Sequence, residues 1–156
     1  MIRREYFSRG PNFVWHFDSY DKLKQYGLCI NGCIDGFSRN IIWLEVYSTS
    51  SDPRVIAGYC MEAVESRHGC PVKARADMGT ENGHVAHMQT LLAGENSFYY
   101  GKSCHNQRIE SWWGILRRRS AENWILMLRQ MKEDGCFSAN FLDTSLVQFC
   151  FMNVLQ

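Results

Sequence analysis

At Ser51-Asp52-Pro53 the chain changes hydrophobic period, and that change decides its fold class. Upstream, β-branched and aromatic residues fall in short runs. Phe13 to Tyr20 and Tyr26 to Asp35 read as strands, and Asp35-Gly36-Phe37-Ser38-Arg39 as a turn. Asn40 to Tyr47 reads as a third strand, so the opening is an antiparallel meander. Downstream, Asp52 followed by Pro53 is a helix-start signal, with a capping residue ahead of proline at the first helical position. Val55, Ile56, Tyr59, Cys60, Ala63 and Val64 then recur at helical spacing, and His68-Gly69 closes that helix. Pro71 to Ala76 is a short strand, Thr80 to Leu92 a helix containing Gly83, and Ser97 to Tyr100 a brief strand. Asn106 to Arg119 is a helix that continues as Trp124 to Lys132. Gly135 breaks it, and Asp143 caps a last apolar helix. The order β-β-β-α-β-α-β-α-α predicts an α/β fold: a mixed five-stranded sheet, antiparallel first and parallel later, flanked by helices.

The 156 residues make one domain, 1–156. No apolar run approaches the roughly 18 residues of a membrane span. The start, Met1-Ile2-Arg3-Arg4-Glu5, has no apolar stretch of the secretory kind behind it, so the expected location is nucleus or cytoplasm. The seven cysteines are odd in number and scattered, which predicts reduced, buried thiols rather than a disulfide framework. With 17 basic and 16 acidic residues, overall charge does not mark a nucleic-acid binder; placement must.

Three carboxylates stand out by position. Asp18 lies near the end of the first strand, Asp77 ends the fourth, and Glu110 is in the first turn or so of the helix beginning at Asn106. Open α/β sheets place ligands where strand C-termini meet helix N-termini. Carboxylates gathered there repel unless cations are bound, and hard oxygen ligands suit Mg²⁺ or Mn²⁺. Position alone leaves a blander reading open: Asp at a strand end as a turn former, and Glu in a first helical turn as a partner of the helix dipole.

The residues around them carry more. Trp15-His16-Phe17-Asp18, Ile34-Asp35-Gly36-Phe37-Ser38-Arg39, Ala76-Asp77-Met78-Gly79-Thr80-Glu81-Asn82-Gly83 and Asn106-Gln107-Arg108-Ile109-Glu110-Ser111-Trp112-Trp113 occur in that order, with 32 residues between Asp77 and Glu110. This series resembles the catalytic core of retroviral and retrotransposon integrases, and more closely the integrase-core-like proteins of eukaryotic transposons. The resemblance runs from about residue 9 to the C-terminus. It implies an RNase H-like fold and a D,D-E triad, here Asp18, Asp77 and Glu110, holding two divalent ions, Mg²⁺ or Mn²⁺. It implies DNA as partner, metal-dependent nicking and strand transfer as activity, and a homodimer. Asn82 matches the asparagine that touches the active site in this family, and Arg117 a position that is usually basic and faces DNA; both, with Lys102, are expected to bind DNA. Gly114 takes a place usually held by a basic residue. Asp35 falls in the family's Asp-x-x-Ser-Arg turn and is expected to be structural, and Asp21 is a rival for Asp18 outside the Trp-x-x-Asp frame.

Other residues have plainer readings. Lys22, Lys24 and Lys102 are candidates to border a DNA groove. Trp112, Trp113 and Trp124 read as core, and His16, on the same strand face as Asp18, as a satisfied histidine beside the sheet. The histidines at 84, 87 and 105 have no metal-ligand spacing. Two further activities share the pattern: a catalytically inactive transposon-derived domain kept for binding nucleic acid or protein, and an RNase H-type nuclease. No zinc module precedes the core and no small basic domain follows it, so the chain is expected to be a stand-alone core or a fragment truncated at its C-terminus.

Overall fold

The computed structural model describes residues 7–101 and 106–156. Five strands form one sheet: β1 (Val14–Tyr20), β2 (Cys29–Asp35), β3 (Ile41–Tyr47), β4 (Lys73–Ala76) and β5 (Phe98–Tyr100). Their order is β3-β2-β1-β4-β5, antiparallel across β1, β2 and β3 and parallel across β1, β4 and β5. The helices are α1 (Pro53–Ser66), α2 (Gly83–Ala93), α3 (Gln107–Leu116), α4 (Glu122–Glu133) and α5 (Phe141–Leu155). This is the mixed sheet expected of an RNase H-like fold.

Strand alternation builds two cores, one per sheet face. Trp15, Phe17, Cys33, Trp43, Ala74 and Ala76 point to the face covered by Ile56, Ala57 and Cys60 of α1 and Val85 of α2. Tyr20, Ile30, Ile34 and Val46 point to the other face, against Ile109 and Trp113 of α3, Ile125 and Leu128 of α4 and Val147 of α5. β2 is buried along its whole length because both layers cover it.

Several boundaries differ from expectation for local reasons. Asp21–Tyr26 is a 3-10 turn, so β2 starts at Cys29 rather than Tyr26. The turn closes on Gly27 at φ 79°, where an added Cβ would collide with Thr144 Cγ2 of α5. Thr80–Asn82 is a further 3-10 turn, which puts Gly83 at the start of α2 rather than inside it. α3 runs into α4 through a π turn, Arg117–Ala121. Asn140, not Asp143, caps α5: its side chain accepts from the Asp143 N–H at 2.8 Å. Asp143 instead accepts from the N–H and hydroxyl of Ser138, tying the preceding loop to the helix start.

The thiols depart from the buried expectation in part. Cys29, Cys33 and Cys60 are buried and Cys70 half-buried, whereas Cys136 and Cys150 are exposed. Burial pushes the Cys33 thiol well above its ordinary value and that of Cys60 up to about 11, so both are inert neutral core groups. Among the described residues, no helix is long and apolar enough to cross a membrane.

Candidate functional site

β1 and β4 run parallel, with His16 opposite Arg75. Two residues further along each chain stand Asp18 and Asp77, so the two carboxylates leave the sheet at the same end. Glu110 arrives from α3, whose start is fastened to β1 by Asn106. The Asn106 amide nitrogen donates to the Phe17 carbonyl at 3.0 Å, and its oxygen lies 2.8 Å from His16 Nδ1. That oxygen is an acceptor, so His16 carries its proton on Nδ1. Burial is the largest effect on the imidazole and lowers its pKa to about 4, which keeps it neutral at pH 7. His16 is therefore the satisfied histidine expected, here as a joint between β1 and α3.

Asp18 and Glu110 line one open cavity of about 410 Å³, with Lys22, Gly114 and Arg117 on its walls. Asp18 is half-buried, and its Oδ2 accepts from the Trp113 indole N–H at 3.1 Å. Burial pushes the Asp18 carboxyl up to about 6; the Trp113 and Ser19 hydrogen bonds oppose this, while the charges of Asp77 and Glu110 add to it. Asp77 and Glu110 thus both act on Asp18 electrostatically. Asp77 accepts from the Asn82 amide at 3.0 Å and from the Gly79 N–H at 3.3 Å, both through Oδ1. Asn82 is itself buried, so its contact is with Asp77.

Two residues of this arrangement escape sequence reading. Trp113 is core, as expected, but its indole is also the donor to Asp18. Gly32 of β2 sits directly opposite Asp18, and an added Cβ there would lie 2.7 Å from Trp113 Cη2. The missing side chain lets the indole lie on the sheet beside the carboxylate. The available signal was a glycine inside a strand, which marks close approach of another group.

The remaining candidates separate. Asp35 is structural: its carboxylate accepts from the N–H groups of Asn12 and Ser38 and from the Ser38 hydroxyl. Asp21, also on the cavity wall, accepts from the Ser50 hydroxyl at 3.1 Å and pairs with Lys24 at 3.5 Å. Arg117 reaches the cavity rim and is tied to Glu122 across the π turn. At Gly114 an added Cβ would meet only Arg118 Nη1, at 3.6 Å, so space for a longer side chain exists. Lys102 and His105 lie outside the described residues.

The donor set is oxygen-only and suits a hard divalent cation. Among the described residues, no three His, Cys, Asp or Glu side chains are drawn together into a metal-holding group. The desolvated, mutually repelling Asp18 is the feature a cation would relieve.

The Asp18 shift, set first by burial and then by the neighbouring charges, has a readable sign. Asp18 titrates higher folded than unfolded, so the folded state carries no cost below about pH 4. The cost grows between pH 4 and 6 and is complete above about 6. In chelator, Asp18→Asn is therefore expected to stabilise the protein by about 1–3 kcal/mol at pH 8 and by almost nothing at pH 4. Urea unfolding at the two pH values checks this, and an equal effect at both would contradict it.

The family model for the integrase core domain matches residues 6–156. A search of curated proteins found no match. The match spans nearly the whole chain, including the sheet, the fastened α3 and all three acids, and the protein belongs to the integrase core domain family.

Proposed function

We propose that the chain is a metal-dependent DNA nicking and strand-transfer core, acting as one domain over residues 1–156 in the nucleus or cytoplasm. Integrase core domains support polynucleotidyl transfer in general, bind DNA and use divalent metals. The finer assignment is supported by one observation: burial, and after it the charges of Asp77 and Glu110, hold the Asp18 carboxyl above its ordinary value. Asp18, Asp77 and Glu110 would hold two Mg²⁺ or Mn²⁺ ions, which when bound neutralise phosphate charge and activate the attacking oxygen.

The chain's own residues supply positioning. Trp113 fixes Asp18 through Oδ2, and Asn82 fixes Asp77 through Oδ1. Arg117, at the cavity rim, and Lys102 are the DNA-backbone contacts of this reading. In the first step a water oxygen bonds to phosphorus and the P–O3′ bond breaks, leaving a 3′-hydroxyl. In the second, that hydroxyl bonds to a target phosphorus and one P–O bond of the target breaks. No covalent intermediate on the protein is needed.

A second copy of the chain is the proposed partner at α5. Leu142, Leu146 and Phe149 follow one another at helical spacing there, 64%, 52% and 85% exposed. Sedimentation at about 100 µM is expected to show a dimer that Phe149→Glu dissociates. A wild-type monomer at that concentration contradicts it.

The activity is tested with a branched DNA that a catalytic core can reseal in Mn²⁺. Wild type should release product, and Glu110→Gln should lower it by roughly 100-fold or more while remaining folded. Product from both would reject the triad. Product from neither, with both folded, favours a domain kept for binding. Faster cleavage of an RNA–DNA hybrid than of duplex DNA would point to an RNase H-type nuclease.

A further inference from the structure

A second groove lies on the same sheet face as Asp18, upstream along β1. It has a volume of about 560 Å³, with Val14 and His16 of β1, Lys73 and Arg75 of β4 and Tyr99 of β5 along it, and Arg9 and Phe13 closing one side. The register explains the grouping: His16 is opposite Arg75, and Arg75 opposite Tyr99, so they form one row across the parallel strands. Val14 and Lys73 form the adjacent row. α3, α4 and α5 pack on this face over the β1, β2 and β3 side of the sheet.

Among the described residues its chemistry is cationic and aromatic. Arg9, Lys73 and Arg75 bring three cations, and among the described residues no carboxylate lines the groove. In a chain whose overall charge is only +1, that is a strong local segregation. The cations sit on rings. The Lys73 ammonium is 4.8 Å and the Arg75 guanidinium 5.8 Å from the Tyr99 ring centre, and the Arg9 guanidinium is 5.3 Å from that of Phe13. Lys73 also donates to the Asn96 carbonyl at 2.7 Å, which holds the ammonium at the rim without neutralising it. Tyr99 is 39% exposed and Phe7, at the mouth, 82%.

We infer that this groove is a track for single-stranded nucleic acid, its cations on the phosphates and Tyr99 stacking a base. Alternating cations and exposed rings are the means by which proteins hold a single strand irrespective of sequence. In a duplex the bases are paired and stacked on one another and cannot reach Tyr99. Groove and carboxylates share a sheet face, with the Asn106 joint between them. The inference rests on the nucleic-acid reading of the chain, but its site and its test are separate from the triad.

The test is fluorescence anisotropy of labelled dT₁₀ with the full chain in EDTA, where bound metal plays no part. Wild type should bind dT₁₀ more tightly than a ten-base-pair duplex. Tyr99→Ala should weaken binding by roughly 5- to 100-fold, the range of one lost base stack. Tyr99→Phe, which keeps the ring, should stay within about twofold, and the melting temperature of Tyr99→Ala itself shows whether that variant is folded. The double variant Arg9→Gln with Lys73→Gln should weaken binding and flatten its salt dependence by about two ions. Substituting Arg118 and Arg119 with Gln should change little.

Unmoved affinity in the Tyr99→Ala and double variants would overturn the inference. So would tighter binding of the duplex, or displacement of dT₁₀ by an oligoglutamate at equal charge concentration, which would mean an unspecialised anion surface. The two readings fail separately. If branched DNA is resealed while the groove variants bind dT₁₀ normally, the groove alone is wrong. If resealing is absent while Tyr99→Ala still loses dT₁₀, strand transfer alone is wrong.

Discussion

A carboxylate half-withdrawn from water, beside two others, sets the terms for the rest of this molecule. Asp18 projects from the central strand of the sheet, and its ionised form is disfavoured first by burial and then by Asp77 and Glu110. One neutral donor, the Trp113 indole, offsets part of that cost. The indole reaches Asp18 because β2 has no side chain at Gly32, directly opposite. Sheet register, one absent methyl group and one aromatic ring therefore act as a unit. Moving any of them would move the carboxylate.

The third acid depends on a different joint. Glu110 belongs to α3, and α3 is fastened to β1 by Asn106, through the Phe17 carbonyl and the neutral His16 ring. Each such buried hydrogen bond contributes about 1 kcal/mol net, but leaving any of these polar groups unmatched would cost more. Burial keeps the His16 ring uncharged over the neutral pH range. The apolar contacts of Ile109 and Trp113 then carry the helix across the sheet face. The same strand thus carries the first acid and anchors the element that brings the third.

How much of this was legible depended on whether the information was local. The period change at Ser51-Asp52-Pro53 is local, and it located α1 and the switch from meander to parallel strands. Asp52 does accept from the Arg54 N–H, as a capping residue should. Asp35 was legible as structural through the Asp-x-x-Ser-Arg turn of the resemblance, and its partner Ser38 lies within that turn. Trp113 was read as core from spacing, which is correct, but its bond to Asp18 joins residues 95 apart in sequence. Gly32 has meaning only once β2 is laid against β1 and α3 is placed above both. The start of α5 was misassigned because Asn140 and Asp143 are both plausible caps. The choice is made by the loop, where Ser138 engages Asp143 and leaves Asn140 for the helix end. Arg117 lies at the cavity rim, and its ion pair with Glu122 needs the π turn that spacing could not foretell.

We propose that Asp18, Asp77 and Glu110 hold a cation, whose binding would relieve the cost of ionising Asp18. Titration of the chain with Mn²⁺ at pH 8, followed by the loss of free Mn²⁺ paramagnetic signal, tests it most directly. The account predicts saturable uptake of two ions per chain, lost in Asp18→Asn and weakened as pH falls through about 6. Absence of saturable uptake, or uptake that Asp18→Asn leaves intact, would contradict it.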